Sequence, residues 1–231
     1  MKVVSLNGKW NLTGKSQISE EIPISLEATV PGCVQLDLSE QGYLPKDIYM
    51  GENVVAAEKY ESYEWWYERR FQAPDERKNV FLVFEGVDCL AEYFLNGTKI
   101  GESDNMFIRH EFMVDDFLKD GENTLTVHIK SAVIESDNFD YTIKMLNNPV
   151  NIESRHIRKA PHGYGWDIMP RLVTAGLWRD VKIEIRDSIY FSQTFFKAKD
   201  ANCSFYYVLE SDRNRKMDGF HRHWRHCHSD H

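Results

Sequence analysis

The residues best suited to chemistry lie in one stretch, Arg158-Lys159-Ala160-Pro161-His162-Gly163-Tyr164-Gly165-Trp166-Asp167-Ile168-Met169-Pro170-Arg171, followed by Thr174-Ala175-Gly176-Leu177-Trp178-Arg179. Gly163, Gly165 and Pro170 interrupt any helix or strand and let the backbone turn tightly, so the stretch reads as a loop with Trp166 and Asp167 at its tip. An indole beside a carboxylate suits recognition of a pyranose, which offers an apolar ring face to stack on and hydroxyl pairs that need an acceptor. The plainer alternative has Trp166 plugging the end of a sandwich and Asp167 accepting backbone N–H bonds inside the loop. Arg158, nine residues before Asp167, has three available roles, orienting that carboxylate, touching substrate or bracing the loop through a salt bridge, and bracing is the expected one.

Other chemistry-bearing residues suggest less. Cys33, Cys89, Cys203 and Cys227 are widely spaced, with no C-x-x-C pair, and read as reduced thiols rather than zinc ligands or a redox motif. The end of the chain, residues 211–231, carries five His and four Arg without apolar periodicity. His221, His223, His226, Cys227, His228 and His231 are all possible zinc or nickel ligands, but no regular spacing fixes a geometry, so no metal site is assigned. This stretch reads instead as translation out of an ancestral frame, outside ordered structure that ends near Glu210.

The elements that must position the loop are strands. Leu125, Val127 and Ile129 alternate with Thr124, Thr126 and His128, as they do on a half-buried strand; Val181, Ile183 and Ile185 repeat the pattern. Val80 to Phe84 is apolar throughout, as in a strand covered on both faces. Asn96-Gly97 between Ala91–Leu95 and Lys99–Ile100 predicts a type I′ hairpin, and Asp120-Gly121 a turn before the Thr124 strand. The one helix expected is short, from Cys33 to Gln41, after Pro31-Gly32. Ile189 to Ala198 and Cys203 to Leu209 predict two further strands joined by a turn. Short strands without βαβ alternation point to an all-β antiparallel sandwich or jelly roll.

Composition excludes some partners. A net charge of −8 argues against a nucleic-acid partner, whose phosphates demand clustered Lys and Arg. No stretch is long and apolar enough for a membrane span, and the opening MKVVSLNGKWNL lacks a signal peptide's apolar run, so a cytoplasmic location is expected. Sequons at Asn11, Asn96 and Asn202 are then read as chance. Aromatics at 13% suit both β-sandwich cores and sugar-stacking faces.

The stretch from Arg158 to Arg179 resembles the RKxxxxxGWDxxPRLxTAGxWR block of glycoside hydrolase family 2 β-mannosidases. Leu6-Asn7-Gly8-Lys9-Trp10, Val30-Pro31-Gly32-Cys33-Val34, Trp66-Tyr67-Glu68-Arg69-Arg70-Phe71, and Phe84-Glu85-Gly86-Val87-Asp88 with Leu95-Asn96-Gly97 resemble further blocks in the family's order. The resemblance spans residues 1–187 and implies the family's N-terminal, galactose-binding-domain-like jelly roll. It also implies that residues 188–210 open an incomplete immunoglobulin-like sandwich, with 211–231 a His- and Arg-rich tail.

In such β-mannosidases a Trp-Asp pair reaches from the jelly roll into the pocket of the catalytic barrel, which by resemblance makes Trp166 and Asp167 the substrate-binding residues. Most of them read Trp-Asp-Trp-Gly-Pro, whereas this chain reads Trp166-Asp167-Ile168-Met169-Pro170, leaving the sugar preference open. Retaining enzymes of this kind use two carboxylates about 5 Å apart on a (β/α)₈ barrel of roughly 250 residues. No such stretch follows residue 187, so Glu85, Glu92 and Glu184 are read as sheet and turn positions and no catalytic residue is assigned. The expected function is a non-catalytic substrate-binding domain of a β-mannosidase-like hydrolase, with no cofactor and a β-mannoside or related glycan as partner through the parent enzyme. The alternatives are a free-standing carbohydrate-binding module and a subunit complementing a separately encoded catalytic barrel.

Overall fold

The structure, a computed structural model, describes residues 1–146, 151–199, 202–211 and 225–227. Contacts divide the chain into two compact units, Val3–Glu184 and Met1–Lys2 with Ile185–His231.

In the larger unit, strands β1 (Lys2–Ser5), β2 (Gly8–Ser16), β3 (Ile24–Val30), β4 (Tyr63–Gln72), β5 (Val80–Phe84), β6 (Ala91–Leu95), β7 (Thr98–Ser103), β8 (His110–Met113), β9 (Glu122–Ile129) and β10 (Val181–Ile185) form two sheets. One has six strands in the order β3-β2-β4-β9-β6-β7, the other four in the order β1-β10-β5-β8. The first is held by antiparallel pairing, with Tyr67 opposite Leu12 on one side and Val127 on the other.

Alternation decides which side chains enter the core. Leu125, Val127 and Ile129 of β9 have no exposed surface, while Thr124, Thr126 and His128 face outward and stay partly exposed. Tyr63, Trp65 and Tyr67 of β4 are the inward partners on the neighbouring strand. Each such aliphatic side chain contributes roughly 1.5–3 kcal/mol through its removal from water. The two sheets meet through rings: Tyr93 of β6 lies 4.5 Å from Phe84 of β5 and 4.7 Å from Phe112 of β8, centroid to centroid. The apolar run of β5 sits inside its sheet, where Val80, Leu82, Val83 and Phe84 are fully buried and Phe81 alone is partly exposed.

Turn chemistry follows the sequence. Asn96 and Gly97 adopt φ of 54° and 84° between β6 and β7, the positive pair that a type I′ turn needs. The expected helix is present as α1 (Val34–Glu40), with Val34 and Leu38 buried one turn apart and Leu36 turned to solvent. It is not the only one. Helices α2 (Ala132–Ser136) and α3 (Ile143–Leu146), and 3₁₀ segments at Asn53–Ser62, Ile152–Arg155 and Pro161–Tyr164, were missed because they are too short or too irregular for a 3.6-residue period. What marks α2 is a cap: the Ser131 side chain accepts a hydrogen bond from the Ile134 N–H at 3.1 Å.

In the smaller unit, β11 (Ile189–Lys199) and β12 (Asn202–Ser211) form an antiparallel hairpin. Sequence patterning places the end of regular structure near Glu210, yet Arg225–Cys227 adds a third strand, β13, opposite Cys203–Phe205 of β12. An open strand edge accepts a backbone partner without requiring apolar periodicity in it. Among the proposed tail ligands, His221, His223, His228 and His231 lie outside the described residues.

Candidate functional site: the turn bearing Trp166 and Asp167

The loop expected between Arg158 and Arg179 is ordered by its own backbone. The Trp166 N–H donates to the Met169 carbonyl and the Met169 N–H to the Trp166 carbonyl, both at 3.0 Å, so Asp167 and Ile168 form the tip of a closed two-residue turn. Gly165 enters it at φ 96°, a conformation few other residues accept, and the Leu172 N–H donates to the Gly163 carbonyl at 2.9 Å across the stem.

The tip faces solvent. Trp166 is 51% exposed and Ile168 87% exposed, and Asp167 is exposed too. Among the described residues the Asp167 carboxylate makes no hydrogen bond or ion pair. The reading in which Trp166 plugs the sandwich end is therefore excluded. A ring face and a free acceptor stand side by side on a fixed projection, which is the chemistry a sugar ring calls for.

Arg171 holds the stem. Its Nε and Nη2 donate to the two carboxylate oxygens of Glu61 at 2.9 and 2.7 Å, Nη2 donates to Glu153 at 2.8 Å, and Nη1 donates to the Tyr164 carbonyl at 3.2 Å. The guanidinium also lies 5.7 Å from the centre of the Tyr164 ring. Partial burial works against its charge, but Glu61 and Glu153 outweigh that and bind its proton more firmly than in a free arginine. From the other side, the Asn151 amide donates to the Gly165 carbonyl at 3.2 Å.

Next to Gly163, on the stem, lies a buried cluster. The Lys159 ammonium contacts both carboxylate oxygens of Asp88 and donates to the Thr174 carbonyl at 2.7 Å, while the Thr174 hydroxyl donates to Asp88 at 2.6 Å. The two charged side chains are 1% and 4% exposed. Every polar side-chain atom of the cluster thus has a partner, the condition under which a buried ion pair is tolerated. Beside it, a cavity of about 10 Å³ lined by Gln35, Trp65, Asp88, Ser131 and Thr174 has room for one water.

The expectation for Arg158 does not hold. Its side chain is exposed and makes no ion pair among the described residues; its backbone accepts from the Met106 N–H at 3.1 Å. Bracing falls to Arg171, whose partners Glu61 and Glu153 cannot be identified from spacing because Glu61 lies 110 residues away. Lys159, Asp88 and Thr174 were missed for the same reason. Glu85, Glu92 and Glu184 are engaged on the sheets: Glu85 with Lys182 at 2.7 Å, Glu92 with Lys99 at 2.7 Å and Glu184 with Arg109 at 2.8 Å.

Residues 10–179 match the model of the family described as glycosyl hydrolase 2 galactose-binding domain-like. The chain is 32% identical over 198 residues to β-mannosidase B of Thermothelomyces thermophilus, which covers 80% of this chain and 22% of that protein. It is 31% identical over 218 residues to the β-mannosidase of Rattus norvegicus, with coverage of 89% and 24%. Among solved structures, the β-D-mannosidase of Dictyoglomus thermophilum superimposes with a TM-score of 0.77 at 34% identity, covering 90% of this chain and 26% of that one. The chain thus spans about a quarter or less of the length of these relatives. Two antiparallel sheets, the ordered motif blocks and the match over residues 10–179 agree: the chain belongs to the glycosyl hydrolase 2 galactose-binding domain-like family.

Proposed function

We propose that this chain supplies the non-catalytic, substrate-side domain of a β-mannosidase-like glycoside hydrolase, with Trp166 stacking on the terminal sugar and Asp167 accepting from its hydroxyls. The observation that carries this reading is the exposed indole and unpaired carboxylate on a turn closed by two backbone hydrogen bonds. Its relatives named as β-mannosidases support the substrate class. The pair offers one wall of a pocket, and a sugar site of useful affinity needs enclosure on several sides. The remaining walls, and the two carboxylates of the reaction, belong on this reading to a catalytic barrel, joined to this domain or separately encoded.

The test is an assay of the chain on an aryl β-mannoside, alone and with a β-mannosidase barrel lacking its own sugar-binding domain. No turnover alone, and restored turnover in the mixture that Trp166→Ala or Asp167→Asn lowers at least about tenfold, is the expected result. Clear turnover by the chain alone would refute the non-catalytic assignment. Mannose binding by the isolated chain at millimolar or better affinity, abolished by Trp166→Ala, would instead favour a free-standing binding module.

A further inference from the structure

We propose that Arg171 is a positioning residue that fixes the direction in which Trp166 and Asp167 project, by clamping both sides of their turn to Glu61 and Glu153. Residues 164 and 171 bracket the turn, and Arg171 joins them directly through its hydrogen bond to the Tyr164 carbonyl. The same side chain reaches outward to two acidic residues on different segments, one closing the Asn53–Ser62 3₁₀ stretch and one in the Ile152–Arg155 turn. Three segments that share no strand are tied at one guanidinium.

The planar fork matters here. Nε and Nη2 meet the two oxygens of Glu61 as parallel bonds, a geometry that defines an orientation as well as a distance, and no lysine reproduces it. The other ties on the stem, Leu172 N–H to the Gly163 carbonyl and the Asn151 amide to the Gly165 carbonyl, are single neutral hydrogen bonds, and the tip residues are exposed, with no partner for the Asp167 carboxylate among the described residues. Without the clamp the turn keeps its two closing hydrogen bonds and the neutral bonds of its stem but loses the charge-assisted tie to Glu61 and Glu153 that sets its direction. The consequence for sugar recognition rests on the function proposed above; the clamp itself does not.

The experiment uses the full chain with 5-fluorotryptophan at its six Trp positions and fluorine NMR, the Trp166 signal being assigned with Trp166→Phe. Arg171→Lys and Glu153→Gln are compared with the parent, together with hydrogen exchange at the Trp166 and Met169 amides. The expected result is a Trp166 signal shifted toward that of free 5-fluorotryptophan with the other five unmoved, while the Trp166 and Met169 amides exchange at the parent's rate because the bonds that close the turn remain. An unmoved Trp166 signal in both variants, or all six signals moving together in both, would overturn the proposal. Because no sugar enters the measurement, a Trp166-specific shift in variants that complement a barrel normally would defeat the sugar reading while leaving the clamp intact.

Discussion

Two charged clusters support one turn, and they differ in the medium that surrounds them. Lys159 and Asp88 are almost wholly removed from water, whereas Arg171, Glu61 and Glu153 keep side-chain exposures of 28%, 13% and 15%. In the buried cluster a missing partner leaves a charge with no solvent to turn to. In the outer cluster water can replace a lost partner, so the cost is orientation more than stability. The comparison assigns them separate tasks: the inner cluster decides whether the loop from Ala160 to Gly176 is folded, and the outer one where its tip points.

The sharpest way to break this comparison is Lys159→Met, which strands the Asp88 carboxylate. Loss of about 3–5 kcal/mol in urea unfolding is expected, and a loss no larger than that of Arg171→Lys would erase the distinction. Thr174→Val removes one donor to Asp88 but leaves Lys159 in place, so roughly 1–3 kcal/mol is expected. Arg171→Lys should shift the thermal midpoint by only a few degrees, as about 1 kcal/mol does in a chain of this size.

Asp37 offers a separate check on burial, away from the turn. Burial raises its carboxyl from the ordinary 3.8 to about 6, although its Oδ1 accepts from the Thr29 N–H at 2.9 Å. A group bound more tightly to its proton when folded contributes stability at low pH that is lost as pH rises from about 4 to about 6. Asp37→Asn should flatten that part of the stability profile; an unchanged slope in urea midpoints across that range would show that Asp37 is solvated. The smallest effect belongs to Trp166→Ala, expected within about 0.5 kcal/mol of the parent in stability because Trp166 is already 51% exposed in the folded chain. A larger loss would mean that the indole is structural, and would weaken its assignment to substrate.

Much of the architecture was legible because it follows from local rules. The period-two runs of β9 and β10 mark their buried faces, Asn96-Gly97 marks its hairpin, and the glycines around Trp166 mark a loop. The short helices were not, since five residues such as Ala132–Ser136 leave no periodic trace. The bracing residue was misassigned for another reason. Arg158 and Arg171 lie in the same motif on either side of Asp167, and sequence offers no means of telling which one faces acids brought in from elsewhere.

What the sequence by itself determined is the family, the two-sheet class and the identity of the indole and carboxylate at the loop tip, because those depend on residue types and on spacing between near neighbours. Only the tertiary structure decided that Trp166 points outward, that Arg171 rather than Arg158 holds its turn, and that Lys159 and Asp88 neutralise each other in a buried pair. Those facts rest on meetings between residues 71 and 110 positions apart, and the cost of an unpaired charge depends on how much water the folded chain leaves around it.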